Sequence, residues 1–228
     1  LISSTAAVAT DRGWAWGDTV AAWGDADHVW VATTIGLLSI VLVTVVSYLG
    51  IKLSSRVQNA LIYFQYGVMI LFSGALLWNV WHDGLPEGGT PFTWSMLNPF
   101  GIGSSTSLIA AVVLGVFLFW GWESTLSVNE ETENPQSTPG RAALTSTVIL
   151  LITYVGVAVT VVMVGGTGSG QLDYADESVV ADVFTPLAQT VGPWLAVLVG
   201  IAIVVSSLSS SQTTILPTTS GMLAMGVY

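Results

Sequence analysis

No cysteine occurs in this chain of 228 residues, and only two histidines do. The missing cysteines exclude a disulfide framework and a thiolate metal site, and they leave the redox compartment unmarked. Charge is scarce as well: 8% of residues are Asp, Glu, Lys or Arg, against roughly 25% in an ordinary soluble domain. Only four of the charged residues are basic, and the formal net charge is −10. A phosphate-binding surface needs clustered Lys and Arg, so nucleic acid is excluded as a partner.

What the chain has is apolar length. Hydrophobic residues make up 52% of it. The runs Val29 to Gly50, Ala60 to Trp81, Leu108 to Val128, Leu144 to Val164 and Trp194 to Leu216 are each about 20 residues long, enough helix to cross a hydrocarbon core of about 30 Å. The pattern predicts an all-α membrane protein with five transmembrane helices and membrane lipid around it. The expected segments are an outer loop over 1–28, transmembrane helices over 29–50 and 57–81, an outer loop over 82–104 and a broken transmembrane helix over 105–128. An inner loop over 129–141, a helix over 142–165, an outer loop over 166–192 with a short interfacial helix, and a final helix over 193–217 complete the series.

Charge sets the expected orientation. Lys52, Arg56 and Arg141 fall in connections on one side, which the positive-inside rule makes cytoplasmic. Asp83, Glu87, Asp173, Asp176, Glu177 and Asp182 then fall outside, with Trp78, Trp81, Trp94 and Trp194 at outer helix ends, as an interfacial belt requires. The cell membrane is the expected location. A start at Leu1 and a first span that runs inward suggest an excerpt of a longer transporter, with further helices of the same protein as partners.

Local signals mark several ends. Gly50 to Ser55 is expected to separate the first two helices, and Thr138 and Pro139 to start the fourth. Val179, Val180, Val183, Phe184 and Leu187 recur at helical spacing among acids, which predicts the short amphipathic helix. The last span carries Ser206, Ser207, Ser209, Ser210, Ser211, Gln212, Thr213 and Thr214. That many polar groups at membrane depth belong inside a bundle or beside water.

The chemistry concentrates at Phe117 to Glu123, F-L-F-W-G-W-E. Gly121 costs a helix about 1 kcal/mol relative to Ala. A helix opened there offers free carbonyls to an ammonium group and free amides to a carboxylate, with Trp120 and Trp122 to cover the ligand. Glu123 lies roughly 10 Å of helix from the inner loop, where an ionised carboxylate must be paired, watered or protonated. One reading makes it a coupling or gating group, and the other makes it a partner of the interrupted backbone. The tryptophans equally serve packing, and the Ser/Thr run serves either ion ligation or close helix contact.

These residues resemble the amino acid-polyamine-organocation permeases. The resemblance rests on F-W-G-W-E at Phe119 to Glu123, E-E-T-E-N-P at Glu130 to Pro135, P-G-R-A at Pro139 to Ala142, K-L-S-S-R-V-Q-N at Lys52 to Asn59, and T-S-G-M-L-A-M at Thr219 to Met225. It covers the chain from about residue 30 and is similar to spans four to eight of that family. The resemblance implies part of a LeuT-like fold with inverted repeats and a broken sixth helix at the substrate. It implies that Phe117 packs on the substrate, that Trp120 lends it a carbonyl, that Gly121 marks the unwinding and that Glu123 couples or gates. Ser210 and Ser211 match the position that holds Na⁺ in sodium-driven relatives. Gln65 stands where some proton-coupled relatives have lysine, and Gly221 where the family has arginine. The implied function is secondary active transport of amino acids or related amines by alternating access, with H⁺ or Na⁺ as coupling ion and no cofactor, metal or covalent chemistry. The alternative is a transporter-like sensor or assembly partner that binds its ligand without moving it.

Overall fold

A computed structural model of the chain describes residues 29–101, 103–119, 134, 136–166 and 182–227. Among these residues every regular element is helical. The α-helices are α1 (Val29–Tyr48), α2 (Ile51–Asp83), α3 (Ser105–Leu118), α4 (Thr138–Gly165), α5 (Phe184–Val191) and α6 (Pro193–Val227). Two short 3₁₀ turns, Trp94–Leu97 and Pro99–Gly101, lie before α3. Three stretches are long and apolar enough to cross a membrane: Leu53–Asp83, Thr138–Gly165 and Pro193–Ile215. Thr33–Tyr48 and Ser105–Leu118 are shorter apolar helices.

Several boundaries differ from those expected. Leu49 and Gly50 separate α1 from α2: the φ of 124° at Gly50 is open to glycine at little steric cost, and its carbonyl accepts the N–H groups of Leu53 and Ser54. The second helix therefore starts at Ile51 and not at 57, and the K-L-S-S-R-V-Q-N segment is wholly helical. The fourth helix starts at Thr138, where Thr138 and Pro139 signal a start and four residues ahead of the segment bound of 142, after a turn in which the Asn134 carbonyl accepts from Ser137 and Thr138. The final helix continues past Pro217 to Val227; proline forbids one intrahelical hydrogen bond, and here that loss does not end the helix.

The chain divides into two compact units. The first comprises residues up to Thr90 and from Thr160 to Ile215. Its core joins Val68, Phe72 and Leu76 of α2 to Val164 of α4, Leu187 and Ala188 of α5, and Leu195, Ala196, Val199 and Ala202 of α6. The four-residue steps on α2 and the three- to four-residue steps on α6 put these side chains on one stripe of each helix. The short helix α5 is docked into that core: Leu187 and Ala188 are buried, and Phe184 meets Phe72 edge to face at 5.6 Å. Asp182 accepts from the Thr185 N–H at the start of α5, which occupies one of the first-turn donors. A tight turn over 86–90 closes against α4, where the Thr90 N–H donates to the Met163 carbonyl at 3.0 Å. Gly89 is required there, since a Cβ would lie 2.8 Å from that carbonyl oxygen.

The second unit comprises residues 91–159 and 216–228. Its α3 is started by Ser104, whose Oγ accepts from the Ser107 N–H. Most apolar side chains of α3 and of the α4 segment up to 159 are exposed, among them Ile109, Leu114, Leu144 and Ile152. Helices apolar all round belong in a bilayer or in a larger bundle.

Candidate functional site

α2 and α6 are joined by a seam of side-chain hydrogen bonds. Gln212 Nε2 donates to the Ser54 carbonyl at 2.9 Å and to Ser54 Oγ at 2.8 Å. Gln58 Nε2 donates to Ser209 Oγ at 2.7 Å, and Gln65 Nε2 to Ser206 Oγ at 2.9 Å. Partner numbers fall along α6 as they rise along α2, so the two helices run antiparallel. Steps of four and seven on α2, and of three on α6, keep each set on one helix face.

The seam is dry. Ser54 is 2% exposed and Gln212 3%, and within hydrocarbon such groups have no water to turn to. Gln212 uses both amide hydrogens on Ser54. Gln58 instead leaves Oε1 buried without a partner, and turning the amide over would only exchange which end goes unpaired.

Ser210 and Ser211, the residues matched to an ion position, are exposed and outside this seam. Ser211 Oγ donates to the Ser207 carbonyl at 2.9 Å, and the Ser210 carbonyl accepts from Thr213 and Thr214. Gln65, the position of the lysine in some proton-coupled relatives, faces Ser206 and not Ser210 or Ser211.

In the second unit, α3 ends at Leu118 with Phe119 as its C-cap. The last carbonyls of a helix lack partners within it, and Tyr154 of α4 supplies one: its Oη donates to the Leu118 carbonyl at 3.4 Å. The Tyr154 ring also meets Phe119 edge to face at 5.8 Å. An open cleft of about 800 Å³ next to this end is lined by Phe119, Ser137, Arg141, Leu144 and Thr147. Phe117 is 60% exposed. Trp120, Gly121 and Glu123 lie outside the described residues.

In the sequence Gln65 and Gln212 stand out but have no evident partner, and nothing singles out Ser54, Gln58 or Tyr154. The signal was present in part: polar residues at helical spacing inside apolar spans demand a polar neighbour. Nothing local says which helix supplies it.

A sequence model for the family described as Amino acid permease matches residues 2–226. The chain belongs to the amino acid permease family. It is also 30% identical, over 116 residues, to the branched-chain amino acid permease BcaP of Bacillus subtilis (strain 168). That match covers 51% of this chain and 22% of the relative, so the permease chain spans well under half the length of the curated protein it matches. No solved structure matches it. Family membership and the apolar helices make this permease a multi-pass integral membrane protein, of a transporter family and not an enzyme family.

Proposed function

We propose that the chain serves secondary active transport of an amino acid or related amine by alternating access, within a LeuT-like arrangement of inverted repeats. The observation that carries this reading is the family match over nearly the whole chain. The end of α3 at Leu118, with one residue between it and W-G-W-E, supports it further: the helix stops where the resemblance expects the substrate-binding helix to be broken. In this reading Phe117 packs on the substrate, Trp120 offers a carbonyl to its amino group, Gly121 permits the unwinding and Glu123 couples or gates. Where the coupling ion is Na⁺, Ser210 and Ser211 contribute hydroxyl oxygens to it; where it is H⁺, Glu123 is the group that takes it up. Substrate, lipid and the remaining helices of the same protein are the partners.

The relative's name specifies branched-chain amino acids, so leucine, isoleucine and valine are the first probes. Full-length protein in liposomes is expected to accumulate at least one labelled amino acid when a Na⁺ or H⁺ gradient is imposed. Saturable binding without uptake of any of the twenty would instead support the sensor reading and sink this one.

A further inference from the structure

The hydroxyl and amide groups of α6 fall on two faces, and the seam holds them apart. At about 100° per residue, Ser206, Ser209 and Gln212 span one face, centred on Ser209 and turned toward α2. Ser207 and Ser211 lie about 160° round from Ser209, Thr214 about 140° and Ser210 about 100°. All four are exposed, whereas Ser209 and Gln212 are buried. Ser207, Ser211 and Thr214 spend their hydroxyl hydrogens on carbonyls of their own helix, those of Ile203, Ser207 and Ser210. What they turn outward is oxygen lone pairs, so the angle at which α6 stands decides where a row of acceptors faces.

Apolar packing sets the angle over Leu195 to Ala202, which sit in the core, but past Ala202 the groups of α6 turned toward α2 are Ser206, Ser209 and Gln212, and apolar contact sets the angle weakly there. The hydrogen bonds set it strongly. Gln212 places two bonds on one residue at the end of the seam, and rotating α6 breaks both while leaving a buried amide unsatisfied.

We propose that Ser54 and Gln212 are positioning residues that fix the rotation of α6, with the Gln58–Ser209 and Gln65–Ser206 pairs as secondary guides, so that Ser207, Ser210, Ser211 and Thr214 stay turned away from α2. The importance of that angle for transport rests on the reading above, in which Ser210 and Ser211 meet the coupling ion. The clasp itself does not.

The test uses full-length protein, freed of any cysteine and reconstituted in lipid, with nitroxide labels at Asn59→Cys on α2 and Ser211→Cys on α6. A second pair, Leu38→Cys with Asn59→Cys, monitors α1 against α2. Pulsed dipolar spectroscopy gives each distance. In Ser54→Ala and Gln212→Leu the Asn59–Ser211 distance is expected to shorten by about 5 Å, roughly half of a helix diameter of about 10–12 Å, with the α1–α2 distance unchanged. The exchange variant Ser54→Gln/Gln212→Ser, which reverses the pair, restores the parent distance. An unchanged Asn59–Ser211 distance in both single variants overturns the proposal, and so does an exchange variant that stays at the shifted value. Leucine uptake and its half-saturating Na⁺ or H⁺ concentration are read on separate vesicles of the unlabelled parent and variants, in which Asn59 and Ser211 are intact. A raised half-saturation, about tenfold for a bias of about 1.4 kcal/mol, with maximal uptake retained, supports positioning over mere loss of stability. Absence of uptake in the parent counts against the transport reading, while the distance shift still decides the clasp.

Discussion

Replacing Gln58 and Gln212 by leucine separates two glutamines that look alike in the sequence but stand differently in the seam. Gln212→Leu removes two hydrogen bonds to Ser54, each worth about 0.6 kcal/mol inside a bilayer. It also strands the buried Ser54 hydroxyl, because the Gly50 carbonyl, the usual alternative acceptor four residues back, already takes two N–H groups. An unpaired buried hydroxyl costs about 1–3 kcal/mol, so the expected total is a loss of about 2–4 kcal/mol. Gln58→Leu removes one bond, again about 0.6 kcal/mol. It simultaneously removes a buried carbonyl oxygen that has no partner, relieving about 1–3 kcal/mol, while the Ser209 hydroxyl can turn to the carbonyl four residues back in its own helix. Gln58→Leu is therefore expected to be neutral or stabilising by up to about 2 kcal/mol. Reversible unfolding of the intact protein in mixed micelles measures both. A Gln58→Leu variant that loses as much stability as Gln212→Leu would falsify the account of which seam contacts are satisfied.

Gly89→Ala should lower stability by about 1–3 kcal/mol, since the new Cβ meets backbone oxygens of Met163 and Pro86; unfolding midpoints check it, and an unaltered midpoint refutes the close approach. Phe72→Ala empties a fully buried site against Phe184 and is expected to cost about 3–5 kcal/mol, read in the same assay, whereas Phe117→Ala, at an exposed position, should leave stability within about 0.5 kcal/mol while raising the half-saturating substrate concentration. Tyr154→Phe keeps the ring contact with Phe119 but removes the bond to the Leu118 carbonyl; hydrogen exchange at the end of α3 should speed up with little change elsewhere. Glu123→Gln is expected to flatten the pH dependence of uptake in the intact protein, and an unchanged profile removes Glu123 from coupling.

The membrane class, the helical content and the family were legible in the chain alone, because each depends on local properties: the length of an apolar run against bilayer thickness, the spacing of apolar residues along one helix, and a few short motifs. Gly50 as a break was legible for the same reason, since glycine's conformational freedom is its own. The expected end of the last helix at 217 was too early: Pro217 removes one backbone bond, yet the helix runs on to Val227, and nothing local to the proline marks that continuation. The short α5 helix could be foreseen as amphipathic but not as docked between α2 and α6, for its apolar face fits any apolar surface. The seam belongs wholly to the tertiary structure. Ser54 and Gln212 are separated by 158 positions, and only the antiparallel approach of α2 and α6 converts two unremarkable polar residues into a clasp. A single helix determines which residues share its face, but the identity of the face opposite is decided when the helices pack.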